Sequence, residues 1–435
     1  MKNKAVFCLL VLFFVFCSQV TAQVIRQPFL QIPTSESIVV RWQTATAGQG
    51  EIYYGTRFKS LNKKIKEESN RTDHELLLKG LTANTKYYYS INGNIGSDNQ
   101  YFVTAPENKN PAPLRIWVIS DFGQTNSTQN ARRLETVERW RAFNNDRYGA
   151  SFVLSLGDQT EDDSLDQIQH NYFDQLENVL KTSPLYTLVG NHDNHDQMHN
   201  YLSTFTLPSK GEAGGVASNT EQYYSFNFGN VHVVMLCTEI DDNDPLYDQQ
   251  VRWLKRDLAA NRQKWLIACM HQPFHSAGYH PTEDNSSAQK RRKDWLTLLE
   301  DYGADVILQG HNHVYERSFL IDNVIGKAAN VSGANLLDTT LGRTEEKGPY
   351  KKTGKRPQKG TIIVSCTGGG VANAIKHYHT PLPIFPVFFP GDNNEGSLVI
   401  DVDNNRMDVK FLCDEKNKQG SYTWDYFTIV KEDRQ

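Results

Sequence analysis

ADVILQGHNH, residues 304–313, sets an apolar, β-branched run against a glycine and then against His311-Asn312-His313. A run of that length and content reads as a buried strand of a mainly parallel sheet. In open α/β sheets, ligands bind beyond the carboxyl ends of the strands. Four other stretches share this grammar. LRIWVISDFG (114–123) delivers Asp121, SFVLSLGDQ (151–159) delivers Asp158, PLYTLVGNHD (184–193) delivers Asn191 and His192, and KWLIACMHQP (264–273) delivers His271. A lone Asp at a strand end is usually a cap, and a lone loop His is usually solvated. Five strand ends carrying Asp, Asp, Asn-His, His and His-x-His describe a two-metal site.

Two cations about 3.5–4 Å apart need a bridging carboxylate and separate terminal ligands. Asp158 is the expected bridge, because Gly157 before it lets the backbone approach closely. Asp121, Asn191, His271, His311 and His313 are the terminal candidates. Such a donor set suits Zn, Mn or Fe better than Ca or Cu(I). His170, His195, His199 and His232 fall outside the pattern and read as ordinary residues.

The chain has 435 residues, too many for one ordinary core. Its formal net charge of −4 gives no sign of a nucleic-acid partner. The basic run 347–359 contains Gly and Pro and reads as a solvated loop. Residues 1–22 carry Lys2 and Lys4, an apolar run and then Thr21-Ala22, the pattern of a secretory signal cleaved after Ala22. Val15-Phe16 are a poor match for the small residues that precede a lipidated Cys17. No later segment is apolar enough to span a membrane, so the mature chain is expected in a periplasm or beyond. Cys237, Cys269, Cys366 and Cys413 remain, three of them in apolar runs typical of buried thiols. Export permits a disulfide between Cys366 and Cys413, which spacing alone does not assign. Asn70, Asn126, Asn285 and Asn330 head N-x-S/T sequons.

Residues 24–106 read as short strands between turn signals, a small sandwich with Trp42 in its core. The segment Leu81–Tyr87 is similar to the approach to a tyrosine corner in fibronectin type III domains. A Pro- and Asn-rich linker, 105–113, leads to a second domain spanning 113–430. There, helical spacing over 130–144, 166–182, 248–260 and 290–302 alternates with strands. Hairpins are read at 223–239, turning at Gly229-Asn230, and at 396–412. The pattern suits a four-layer αββα sandwich with mixed sheets packed face to face.

The order D-x-G, G-D, G-N-H-D, M-H, G-H-N-H resembles the metallophosphoesterases. The N-terminal sandwich, and Gly123 where most of that superfamily carries His, resemble its purple acid phosphatase branch. The likeness covers nearly the whole mature chain. It implies that Asp121, Asp158 and His313 hold one metal, and that Asp158, Asn191, His271 and His311 hold the second. It implies that His192 contacts the phosphate or protonates the leaving group, and that His275 and His280 contact substrate. Glycines 368–370 would be a structural turn.

One departure stands out. The purple branch carries Tyr three residues after the bridging Asp, as a ligand to Fe(III); this chain has Glu161 there. Glu161 is read either as a replacement carboxylate or as a solvent-exposed residue. Without that tyrosinate, a colourless enzyme is expected. The implied reaction is hydrolysis of phosphate monoesters by a metal-bound hydroxide that attacks phosphorus. A phosphodiesterase or nucleotidase on the same site, and a binding protein with a degenerate site, are the alternatives. Oligomeric state is not legible.

Overall fold

In the computed structural model, the residues described are 22–91, 97–107, 112–123, 127–353, 359–366, 380–389 and 395–432. Residues 1–21 of the signal segment with Cys17, Asn126, residues 354–358 of the basic run and Gly368–Gly370 lie outside them; the part of that run over 350–353 is a strand with Tyr350 and Lys352 buried, not a solvated loop.

The amino-terminal strands are β1 (Val24–Gln31), β2 (Ser37–Gly48), β3 (Glu51–Gly55), β4 (Lys63–Lys66), β5 (Arg71–Lys79), β6 (Lys86–Ile91) and β7 (Tyr101–Val103). They form two antiparallel sheets, β1-β2-β5 and β4-β3-β6-β7. Alternation along β5 buries His74, Leu76 and Leu78 and exposes the residues between them, as one wet face requires. Trp42 is fully buried and stacks on His74 at 4.6 Å. The tyrosine corner is present: the Tyr87 hydroxyl accepts the Thr82 N–H at 3.0 Å. The sandwich is fastened to the rest of the chain by polar and aromatic contacts. Arg41 donates to the Ser203 carbonyl at 3.1 Å, the Tyr89 hydroxyl to the Lys181 carbonyl at 2.9 Å, and Phe29 packs on Phe173 at 4.7 Å.

Beyond the linker come β8 (Leu114–Ile119), β9 (Phe152–Ser155), β10 (Leu185–Thr187), β11 (Tyr224–Phe228), β12 (Val231–Leu236), β13 (Trp265–Met270), β14 (Val306–Gln309) and β15 (Tyr315–Arg317). They are followed by β16 (Leu320–Ile321), β17 (Leu336–Asp338), β18 (Tyr350–Thr353), β19 (Ile362–Ser365), β20 (Val387–Phe389), β21 (Gly396–Asp403), β22 (Arg406–Cys413) and β23 (Thr423–Glu432). Two seven-stranded mixed sheets result, ordered β10-β9-β8-β21-β22-β23-β18 and β11-β12-β13-β14-β19-β15-β20. With helices outside them they make the αββα sandwich. Their facing residues fuse into one core that includes Ile116, Phe152, Phe226, Ile267, Leu308 and Phe411.

Register positions the site. Ile119, Ser155 and Thr187 lie level across β8, β9 and β10. Leu236, Met270, Gln309 and Ser365 lie level across β12, β13, β14 and β19. These pairings are parallel, so the loops carrying all six expected ligands leave the same edge of the two sheets.

Helix boundaries moved by a few residues for capping reasons. The helix expected from 248 is Pro245–Ala260, because Asp244 caps the Leu246 N–H and Pro245 suits the first turn. The helix expected from 290 begins at Ser286 under the Asn285 cap. The stretch 165–180 is helical but takes a π turn over Ile168–Phe173. The Cys366–Cys413 disulfide is not formed. All four described cysteines are free thiols, with Cys366 just past the end of β19 in one sheet and Cys413 at the end of β22 in the other. Burial raises the pKa of each thiol.

Candidate metal centre

The loops that carry the expected ligands are tight turns. Asp121, Asp158, His311 and His313 all have left-handed backbones, with φ of 53°, 54°, 70° and 46°. Such values are uncommon for residues with a Cβ and cluster at functional sites. The glycine before the expected bridge has φ 98°, and a Cβ on Gly157 would lie 2.5 Å from His271 Nδ1. Gly157 is therefore where the two sheets close on one another.

His271 shows what the centre wants. Its Nδ1–H donates to the Leu156 carbonyl at 2.7 Å, which turns the Nε2 lone pair inward. That nitrogen lies 3.2 Å from Asp158 Oδ2 and 3.1 Å from Asn191 Oδ1. Three lone-pair donors converging at this range repel unless a cation or proton sits among them. Burial works against a charged ring, yet the Asp158 and Asp121 carboxylates push the His271 pKa up to about 10. Asp158, His271 and His311 offer ligand atoms that all lie within 4.8 Å of one another. A second convergence involves Asp121, whose buried Oδ1 lies 3.4 Å from His313 Nε2 without a hydrogen bond. Its Oδ2 accepts from Ser120 and from the His311 N–H. Burial raises the Asp121 carboxyl, but nearby His313 and His271 hold it well below the usual carboxylate range. Anionic and neutral donors of these types fit Zn, Mn or Fe.

His192 stands beside the expected bridge, Asp158. Its backbone N–H donates to Asp158 Oδ1 at 3.0 Å, and its Nδ1 is bonded to the Glu161 carbonyl at 2.9 Å. A carbonyl only accepts, so Nδ1 carries a proton and Nε2 is the nitrogen left for a ligand. The Glu161 carboxylate lies behind this ring, 4.0 Å from Nδ1. At Gly123, a Cβ would lie 2.2 Å from the Thr160 backbone nitrogen. The loop after Asp158 thus occupies the place that a side chain at 123 would need.

His280 is exposed and stacks on His311 at 4.6 Å and 23°. His275 is not brought to the centre. It is fully buried, with Nε2 on the Val324 carbonyl at 2.8 Å and Nδ1 3.3 Å from Glu283. Both nitrogens are engaged below the loop whose tip carries His280, so the expectation of a substrate contact at His275 does not hold.

Three residues that organise the centre were not read from the sequence. Asp193 is fully buried and accepts four backbone N–H groups: Asp158 and Gly190 on Oδ2 at 2.8 and 2.9 Å, and Gln159 and Thr160 on Oδ1 at 2.9 and 3.2 Å. Burial and the Asp158 charge raise its pKa well above the usual range, and these donors work the other way. Asn312 bonds both backbone groups of His280 at 2.8 Å. Glu239 accepts from the Gln272 amide at 2.9 and 3.0 Å and from the Thr238 hydroxyl at 2.9 Å, next to His271. The GNHD string was the available signal for Asp193; the other two depend on contacts between distant loops.

Residues 114–315 match the family described as calcineurin-like phosphoesterase, and residues 25–108 match the purple acid phosphatase N-terminal domain. The chain is 30% identical over 283 residues to purple acid phosphatase 15 of Arabidopsis thaliana, covering 58% of this chain and 50% of that one. It is 27% identical over 322 residues to a Glycine max purple acid phosphatase, covering 68% and 65%. The matched regions thus span half to two thirds of these relatives. In fold, it superposes on the yellow lupin (Lupinus luteus) purple acid phosphatase PPD1 with a TM-score of 0.69 at 17% identity, covering 93% of this chain and 74% of that one. It superposes on PhoD with a TM-score of 0.63 at 12% identity, covering 95% and 91%.

Proposed function

The chain belongs to the purple acid phosphatase branch of the calcineurin-like phosphoesterases, and we propose on that premise that it is a binuclear metal-dependent phosphatase acting on phosphate monoesters. The observation that carries this reading is the pair of convergences sharing one loop edge: Asp121 with His313, and Asp158 with Asn191, His271 and His311. Asp158 would be the carboxylate shared between the two cations. Two cations held there supply charge neutralisation for the phosphoryl oxygens and a water acidified toward hydroxide.

The protein's own groups do the rest. The Leu156 carbonyl keeps the His271 proton on Nδ1, so Nε2 remains a ligand. Asp193 holds the backbone on both sides of the site, at Asp158 and at Gly190. The oxygen of water forms the new bond to phosphorus while the ester P–O bond breaks. The departing alkoxide takes a proton from Nε2 of protonated His192, whose Nδ1–H is steadied by the Glu161 carbonyl. Glu161 serves His192 in this reading and is not a metal ligand. With no tyrosinate at that position, iron-loaded protein is colourless. An intense visible charge-transfer band would overturn that point. A panel pairing an aryl phosphate with its bis-aryl diester tests the reaction class. Faster hydrolysis of the monoester is expected, and preference for the diester would make the chain a phosphodiesterase.

A further inference from the structure

A chain of rings leads from the metal centre to solvent. His311 meets His271 edge-on at 5.1 Å, His280 stacks on His311 at 4.6 Å, and Tyr279 meets His280 edge-on at 4.6 Å and 75°. Tyr279 ends the series with 47% of its surface exposed. What sets Tyr279 apart from other exposed apolar residues is its place, an aromatic ring at the solvent end of a ring series that starts among the candidate ligands.

The loop that carries it is pinned on several sides. The Asn312 side chain, between two expected ligands, accepts from the His280 N–H and donates to its carbonyl, both at 2.8 Å. The Ala277 N–H donates to buried Glu316 at 2.7 Å, and Gln309 Nε2 donates to the His275 carbonyl at 2.7 Å. A Cβ on Gly278 would lie 2.8 Å from the Asn312 carbonyl, so this loop lies directly on the metal loop. Tyr279 is therefore held in place against His280, which itself stacks on His311. A mononucleotide carries its base one sugar beyond the 5′-phosphate, on the solvent side of a phosphate seated at the centre, which is the side on which this ring lies.

We propose that Tyr279 is a stacking platform for an aromatic ring one sugar's length beyond the scissile phosphate, so that the site favours nucleoside 5′-monophosphates over phosphate monoesters lacking a ring. This rests on the phosphatase reading above and names its substrate class. The probes are adenosine 5′-monophosphate and ribose 5-phosphate, which share a primary alkoxide leaving group and differ by the base. In the metal-loaded wild type, kcat/KM is higher for the nucleotide. Tyr279→Ala lowers the ratio of the two kcat/KM values by about tenfold, within the range of base–aromatic stacking. Tyr279→Phe keeps the ratio within about twofold, because the ring face is retained. A calorimetric Kd for the non-hydrolysable 5′-phosphonate analogue of the nucleotide weakens by the same factor in Tyr279→Ala. An unchanged ratio and Kd in that variant, a wild type without preference, or loss of preference in Tyr279→Phe would each overturn the platform. If metal-loaded wild type turns over neither probe, the phosphatase reading fails, while the Kd comparison still decides the platform.

Discussion

Asp193→Ala removes an acceptor shared by four buried backbone N–H groups, from Asp158, Gln159, Thr160 and Gly190. An unsatisfied buried donor costs about 1–3 kcal/mol, and water entering the truncated site restores some of that loss. The lower end of the range gives about 4 kcal/mol for the four together. At about 2 °C per kcal/mol for a large domain, Tm falls by about 8 °C. The same bonds fix Asp158, the proposed bridge, and the turn that presents Asn191, so metal affinity is expected to fall by about 10–100-fold, as for other groups that orient metal ligands. Thermal melts with and without added Mn or Zn, together with a metal titration, read both effects. The variant is also expected to gain less Tm from metal than wild type does. A variant that melts within about 2 °C of wild type and binds metal equally well would show that these loops are held by something other than Asp193.

Gly123→His places the residue type common in the superfamily where Thr160 already lies, 2.2 Å from the new Cβ. It should lower Tm without tightening metal binding, and a stable variant with tighter binding would refute this. His192→Ala should lower kcat by about 10²–10⁴ while metal content stays at the wild-type value. Loss of the metals in that variant would make His192 a ligand instead. Asp414 is buried with Thr136 donating to it at 2.6 Å, and burial, with Glu395 and Glu135 nearby, raises its pKa to about 8. The folded state therefore holds a proton that the unfolded chain releases near its ordinary value of 3.8. Stability is full below that value and is lost as pH rises through about 8. Asp414→Asn should flatten the fall in Tm between about pH 5 and pH 8, and parallel curves for variant and wild type would contradict the assignment.

Much of the architecture could be read from the chain because buried parallel strands are apolar runs that end abruptly at a polar turn. Asp121, Asp158, Asn191, His271, His311 and His313 stand out for that reason, and the level register of the two sheets then brings them to one edge. Tyr87 was legible as a corner because its hydroxyl bonds only five residues back. What escaped depended on separation in sequence. His275 and His280 lie on one loop and look alike as letters, but one points into the core toward Val324 and the other outward onto His311. Asn312 looked like a spacer between two ligands, and its clamp on His280 spans 32 residues. The strand Thr423–Glu432 lies inside a sheet but was not among the runs read, since its polar residues include Asp425, buried against Arg317. Glu161 could not be assigned from its position after Asp158, because its place depends on where the His192 ring lies.

The most direct test of the account is metal stoichiometry by mass spectrometry on purified protein loaded with Mn, Zn or Fe, with turnover of a chromogenic phosphate monoester followed on the same samples. Roughly two metals per chain with hydrolysis, both lost in Asp158→Ala, is the predicted result. One metal or none in wild type, with no turnover under any loading, would contradict it and leave a protein that has kept the fold without the chemistry.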